Sequence, residues 1–256
     1  MATEQPLPQA GTGRYGLCAG CSYYPAVLAA GRCEPGDRCV RAHSGRQIDR
    51  FFRANREEAP AYLHDLFWER RAIAARYSPV VHIGHLVHDA DEVVRRVVAD
   101  RLPAEELAAM IHDPDREVRL SVAARLPEGR LASLLHDPDY LVRATVARRL
   151  PHGKLMSLAS DPEREVRKVV AGRLPSFALE ALAADPEPEV RAIVAERALP
   201  SLAEKFLADP EWWVRLAAVA TAPVEALAAL QDDPESEIRE AVKERLAAEY
   251  PGKVND

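Results

Sequence analysis

From residue 113 to residue 136 the chain reads DPDREVRLSVAARLPEGRLASLLH, with its apolar residues in two different rhythms. Val118, Val122 and Leu126 stand four apart and form one stripe of an α-helix. Pro127 follows, and because the residue before a proline avoids the α region, the helix stops there. Leu131 and Leu134 are then three apart, in a stretch with room for one short helix of 3₁₀ spacing. At the front, Asp113 reads as the N-cap and Pro114 as the first helical residue, where a missing N–H costs nothing.

The pattern returns 24 residues later as DPDYLVRATVARRLPHGKLMSLAS and again as DPEREVRKVVAGRLPSFALEALAA. In this frame eight units begin near Asp65, Asp89, Asp113, Asp137, Asp161, Asp185, Asp209 and Asp233. A fixed period of this size predicts an all-α solenoid, since one unit cannot bury its own apolar face. Two full α-helices do not fit in 24 residues, and the LxLxxN strand of ordinary leucine-rich repeats is absent. The first unit is degenerate but keeps Arg71 and Pro79 in register. The last has Ala247 in place of proline and runs on as KERLAAEYPGKVND, an exposed cap. The expected organisation is a cysteine-rich module at 1–44, a connecting helix at 45–64 and eight repeats over 65–256. In the connector, Ile48, Phe51 and Phe52 recur at helical spacing among Arg46, Arg50, Arg53 and Arg56, an apolar stripe that docks inward with arginines facing out.

Two columns of the array invite functional readings. Arg71, Arg95, Arg119, Arg143, Arg167, Arg191, Arg215 and Arg239 occupy one position in every unit, a ladder that would suit phosphates. An acid lies four residues before seven of them (Asp91, Asp115, Asp139, Glu163, Glu187, Glu211, Glu235), the favourable helical order, so self-neutralisation is expected and nucleic-acid binding is not. His64, His88, His112 and His136 each precede a unit's Asp, and His82, His85 and His88 are three apart. These are expected to be partly buried at helix junctions rather than to hold a metal, because no carboxylate or thiol completes the set.

Composition changes the picture in three ways. The 48% hydrophobic and 29% charged content belongs to a soluble globular protein, and no apolar run approaches the ~20 residues needed to span a bilayer. The start, MATEQPLPQAGTGRYG, lacks a basic region followed by an apolar stretch, so a cytoplasmic protein without membrane partners is expected. Charge is uneven, with eight arginines against Glu34, Asp37 and Asp49 between residues 14 and 56, in a chain whose net charge is −6. A basic head therefore precedes an acidic body.

The candidate chemistry lies in that head. Cys18, Cys21, Cys33 and Cys39 are the only cysteines and fall in CAGCSYYPAVLAAGRCEPGDRC. Two disulfides would suit an exported mini-domain, and no export signal is visible. Zinc and an iron–sulfur cluster both want four converging thiolates. Only Cys18 and Cys21 form the close pair usual for zinc, and the wider Cys33-x5-Cys39 loop suits a larger object, so the spacing leans to a cluster and leaves zinc open. Gly20, Gly31 and Gly36 would let backbone amides approach, and Tyr23, Tyr24, Pro25, Val27 and Leu28 would exclude water. His43 is a spare donor that a full cysteine set makes unnecessary. Gly-rich phosphate loops, GxSxG and HExxH are absent, and no enzyme activity is expected.

A CxxC-x11-C-x5-C head followed by DPxxxVRxxVAxRLPxxxLxxL units resembles the leucine-rich repeat variant family, over the head and all eight units. The resemblance implies alternating α and 3₁₀ helices in a right-handed superhelix without β-structure. It also implies a [4Fe-4S] cluster on Cys18, Cys21, Cys33 and Cys39, and an association with nitrogen fixation. The departures are local: Leu199-Pro200 is displaced by one residue, Thr221 replaces the second arginine of its unit, and Ala222 replaces the leucine before Pro223. The expected function is an iron–sulfur redox protein whose solenoid binds protein partners, with an acidic electron carrier docking at the basic head. The alternative is an interaction scaffold whose cluster or zinc only stabilises or senses.

Overall fold

A computed structural model describes residues 9–249. The polar tail from residue 250 onward, and residues 1–8 at the start, lie outside the described residues. The chain divides into two compact units, Met1–Leu126 and Pro127–Asp256. No β-strand occurs among the described residues; the one β-type pairing is an isolated antiparallel bridge between Glu34 and Arg38.

The first unit holds α1 (Ala26–Ala29), α2 (Gly45–Ala54), α3 (Trp68–Tyr77), α4 (Glu92–Arg101) and α5 (Arg116–Arg125). The second holds α6 (Tyr140–Arg149), α7 (Arg164–Arg173), α8 (Pro188–Arg197), α9 (Pro200–Ala203), α10 (Trp212–Val219) and α11 (Ser236–Glu249). From α3 to α10 each long α-helix is followed by 3₁₀ structure, as in Ala104–Met110 and Glu128–Leu134, with the short α9 intervening after α8. Within each unit consecutive long helices pack side by side, α3 on α4 and α4 on α5, then α6 on α7, α7 on α8, α8 on α10 and α10 on α11.

The stripe expected from the sequence is the core. Val118, Val122, Leu126 and Leu131 are fully buried, and Leu134 nearly so. The prolines act as expected: Leu126 before Pro127 is extended at ψ 140°, and the Pro127 carbonyl accepts from the Arg130 amide to start the 3₁₀ turn. Where Pro200 is displaced, the regular 3₁₀ segment gives way to the short α9 followed by Glu204–Ala208. Where proline is missing at residue 247, α11 runs on to Glu249. The expected connector helix ends earlier than drawn, at Ala54, and 3₁₀ structure spans Arg56–Tyr62.

The start of each repeat differs from the sequence reading. The N-cap is the acid two residues after the unit's Asp: the Asp91, Asp115 and Asp139 carboxylates accept from Val93, Val118 and Leu141 amides. Glu163, Glu187 and Glu211 sit at the same place without a side-chain cap bond, as their extra methylene predicts. The unit's own Asp lies before the helix and is buried, as at Asp113, Asp161 and Asp185. Its carboxylate accepts the amide two residues on, Asp113 from Asp115 at 2.9 Å and Asp161 from Glu163 at 2.9 Å.

The same carboxylates are what neutralise the arginine ladder, and the acids four residues upstream are not. Arg143 Nε and Nη2 donate to the two oxygens of Asp161 at 2.7 and 2.9 Å, while Nη1 donates to the carbonyls of Asp137 and Pro138. Equivalent forks join Arg71 to Asp89 and Arg95 to Asp113 in the first unit. In the second they join Arg167 to Asp185, Arg191 to Asp209 and Arg215 to Asp233. Within each unit a second arginine ties α4, α5, α7 and α8 to the C-terminal carbonyls of the helix before. Arg173 Nη1 donates to Ala147 and Leu150 oxygens at 2.6 and 2.8 Å, and Arg101 reaches Ala75 and Ser78. Thr221, the irregular residue of this column, keeps one such bond, from its hydroxyl to the Ala195 oxygen at 2.8 Å.

These buried forks set two expectations. Arg143 and Asp161 are only 9% and 7% exposed, so Arg143→Glu would bury two facing carboxylates and is expected to cost roughly 3–5 kcal/mol, the range for breaking a buried pair. Urea unfolding followed by circular dichroism measures it, and a loss below about 1 kcal/mol, the scale of exposed pairs, would contradict the buried fork. The second expectation concerns acid. Burial favours the protonated form of Asp161, but the Arg143 fork, the Glu163 amide and nearby arginine charge outweigh it and hold the carboxyl below its usual range. Asp89 and Asp209 behave alike, and for Asp233 the bond to Arg215 leads. A carboxyl lowered on folding contributes stability that is complete above its unfolded pKa, near ~3.9, and is lost as pH falls through the folded value. The urea midpoint should therefore hold between about pH 7 and about pH 5 and fall steeply below about pH 4, and a flat profile through that range would refute the assignment.

Candidate metal centre

Local hydrogen bonds bring the four cysteines together. Cys18 ends the 3₁₀ helix Gly13–Cys18, and its carbonyl accepts from the Cys21 amide at 3.1 Å, a tight turn through Ala19 and Gly20. Gly20 and Gly36 take φ of +64° and +90°, a left-handed backbone that other residues adopt only at a cost. Beyond α1, the Arg32 amide closes back on the Val27 carbonyl at 3.0 Å. Glu34 and Arg38 then exchange backbone bonds of 2.7 Å across Pro35-Gly36, a hairpin that sets Cys33 and Cys39 at its two feet. The Cys39 amide donates to the Gln47 carbonyl on α2, which anchors this hairpin to the connector.

The four cysteines line one cavity with Leu17, Tyr23, Pro35, Arg38, Val40 and Phe51 among its walls. None is in a disulfide. Cys18 and Cys39 are buried and Cys21 and Cys33 half-buried, so one side faces the core and the other lies nearer solvent, beside the exposed Leu17. Burial raises the Cys33 thiol to about 11, helped by the negative charge that Cys18, Cys21 and Cys39 would carry and opposed by Arg38. Cys18 is likewise raised by burial, then by Cys21 and Cys39, and opposed by Arg41. Each thiol thus feels the others, and a cation among them would be needed to hold all four ionised. Carboxylates and imidazoles are absent from the cavity wall. Among the described residues, no three His, Cys, Asp or Glu side chains stand in place as a ready-made group for one metal ion.

The support beneath the cavity was less visible in the sequence. Ile48, Phe51 and Phe52 of α2 are buried, and the Tyr23 ring lies 5.1 Å from Phe51. Fully buried Asn55 donates to the carbonyls of Phe51 and Arg32, both at 2.9 Å, clasping the turn before Cys33 to the end of α2. The Tyr23 hydroxyl donates to Glu58 at 3.1 Å, and burial with its Tyr62 and Glu58 hydrogen bonds pushes the phenol well up. Arg41 donates to the Ala19 carbonyl at 2.6 Å, holding the CxxC turn. The two glutamates after the basic connector were the available signal for this shell; nothing in the sequence marked Asn55.

Much of the expected basic surface is consumed. Arg32 pairs with Glu57, Arg38 with Glu34 and Asp37, Arg50 with Asp37, and Arg53 with Asp49. Arg14, Arg41, Arg46 and Arg56 have no carboxylate partner among the described residues; Arg14 lies over the Tyr15 ring at 4.9 Å and Arg56 over the Tyr77 ring at 5.6 Å. His43 lies 6.0 Å from the Phe67 ring and outside the cavity wall. The histidine column is exposed, contrary to the burial expected of it, and His64 stacks on His85 at 4.5 Å.

Residues 12–61 match the family described as "LRV protein FeS4 cluster", and residues 116–139 and 164–187 match "Leucine rich repeat variant". A solved structure described as a leucine-rich repeat variant with a novel repetitive protein structural motif is 54% identical. That match covers 89% of this chain and 97% of the other, with a TM-score of 0.85. Two engineered proteins align with TM-scores of 0.38 and 0.23, at 15% and 18% identity, over 81% and 75% of this chain and 86% and 95% of theirs, and carry no argument. No curated protein matches the chain. With a head of the iron–sulfur type and a strandless array of alternating α and 3₁₀ helices that superposes on a solved member, the chain belongs to the leucine-rich repeat variant family.

Proposed function

We propose that Cys18, Cys21, Cys33 and Cys39 hold one [4Fe-4S] cluster, and that the protein relays electrons between partners instead of turning over a substrate. The observation that carries this reading is one cavity walled by all four cysteines without a carboxylate or imidazole, in a segment that matches the iron–sulfur family description. A cuboidal cluster meets its thiolates at separate corners, whereas zinc draws four sulfurs to one point.

When bound, such a cluster supplies storage and release of one electron. Arg38 and Arg41, whose charges already act on Cys33 and Cys18, would offset the anionic site. Val40, Phe51 and Tyr23 keep water from its inner side. Leu17, with the half-buried Cys21 and Cys33, faces the side a partner would approach. A small acidic electron carrier suits the arginines left without a carboxylate, Arg14, Arg41, Arg46 and Arg56. Nitrogen fixation, a consumer of low-potential electrons, is the setting the family resemblance implies, with the protein in the cytoplasm.

Two measurements test this. Protein purified without oxygen should carry about four iron and about four sulfide per chain. Cys39→Ser should lose both while keeping its helical circular dichroism, because neighbouring repeats stabilise one another. One zinc and no sulfide would overturn the cluster. For the relay, electron transfer from reduced protein to an acidic carrier should slow as salt rises and slow further in Arg46→Glu, a position with no ion pair to disturb. A rate indifferent to both would leave the head a structural or sensing element.

A further inference from the structure

One cation is built into the wall of the cysteine cavity. Arg38 immediately precedes Cys39 and lines the cavity together with the four thiols. The hairpin that carries it is pinned at several points. Glu34 and Arg38 exchange backbone bonds, Gln47 Nε2 donates to the Gly36 carbonyl at 2.9 Å, and Arg50 pairs with Asp37. The guanidinium itself is engaged unevenly. Its Nη2 donates to Glu34 Oε2 at 3.4 Å. Its Nε is buried without a hydrogen-bond partner; Asp37 Oδ2, 3.5 Å away, attracts the charge but does not accept the N–H.

A buried N–H without an acceptor costs free energy, and more so on a cation, so native proteins keep few of them. Among the described residues, buried side-chain polar atoms without a partner occur on Arg38, Asn55, Arg70, Ser78, Glu189 and Arg245, and only Arg38 lines the cysteine cavity. Two neighbouring donors are already engaged, the Tyr23 hydroxyl on Glu58 and Arg41 on the Ala19 carbonyl. The wall holds no carboxylate or imidazole, and what it gathers is sulfur.

We propose that Arg38 Nε donates a hydrogen bond to a sulfur of the [4Fe-4S] cluster and thereby raises its reduction potential. This role rests on the cluster assigned above and not on the electron relay. Reduction adds one electron to the cluster and moves no proton, because the guanidinium stays protonated in both states. The reduced cluster is the more negative of the two, so a buried cationic donor favours it. Hydrogen bonds to the sulfurs and net charge are both levers on such potentials.

The test is an anaerobic redox titration of the full-length protein with dithionite, followed by visible absorption and electron paramagnetic resonance, beside iron and sulfide counts. Arg38→Leu removes donor and charge together. With about four iron and about four sulfide retained, its ratio of reduced to oxidised cluster at a fixed potential should fall roughly tenfold, a midpoint lower by about 59 mV for one electron. Arg38→Lys keeps the charge but has carbon in place of Nε, and its ratio should fall roughly threefold, recovering only part of the loss. Glu34→Gln breaks the ion pair that Arg38 makes on the hairpin and leaves Nε in place, so its midpoint should not drop. A wild-type midpoint in Arg38→Lys would overturn the proposal even where Arg38→Leu fails to hold its iron, and so would a drop in Glu34→Gln equal to that of the Arg38 variants. Wild-type protein without iron and sulfide would remove the cluster and this role with it, whereas a full cluster with an unmoved midpoint in both Arg38 variants would remove the donor alone.

Discussion

Everything regular in the array hangs on one buried fork, an arginine on one helix holding the aspartate that precedes the next. Inside each unit the guanidinium is saturated, with two bonds to the following repeat's carboxylate and one edge on the carbonyls of its own repeat. The aspartate is bound from both sides as well, by that arginine and by an amide two residues on. Removing two charges from water costs several kcal/mol each, and an apolar pair of equal size would often be as stable. What the ionic pair contributes is position. A stripe of valines tolerates sliding by a turn, whereas a bidentate fork closes at one offset only, so it fixes the period at 24 residues and the start of each helix with it.

Its cost is that the forked arginines have no charge left for anything else, whereas Arg239 in the last unit stays exposed and donates to the carbonyls of Asp233 and Pro234. Phosphate recognition needs arginines free to meet an anion; the forked ones are sealed between helices. The same economy operates in the head, where half of the apparent surplus of arginine is paired with Glu57, Glu34, Asp37 and Asp49. Counting charges along a chain overstates the field that a partner feels, because folding brings acids and bases from distant positions into contact.

That difference also explains which features were legible in the sequence. The period, the Val118–Val122–Leu126 stripe, the proline stop and the three-residue spacing of Leu131 and Leu134 are all local, and each survives folding unchanged. The role of Asp113 was misread because Asp-Pro before a helix looks like a cap, and the fork that claims its carboxylate comes from Arg95, 18 residues upstream in another helix. The helical i, i+4 rule paired Arg143 with Asp139, but that carboxylate is spent on the Leu141 amide as the true cap. Cysteine grouping exposed the candidate site at once, while Asn55 stayed invisible: a single asparagine in FFRANRE carries no pattern, and its importance lies in two carbonyls it alone can reach.

An internal repeat supplies its own control for separating scaffold from site. At the buried positions the units agree: valine at 94, 118, 142, 166, 190 and 214, with arginine following each. The outer position two residues earlier reads Glu92, Arg116, Tyr140, Arg164, Pro188 and Trp212, with no common chemistry. Packing cannot discriminate among side chains that lie outside the core, so the fold imposes nothing there and any selection must come from contact with something else. The array can therefore hold its geometry with one set of columns and vary its surface with another. The head works the opposite way: its cavity-forming residues lie in turns fixed by glycines and hairpin bonds, so little of that surface can change without loosening the thiols. A fixed site joined to a variable face is an arrangement in which one chemistry can be kept while the partners differ.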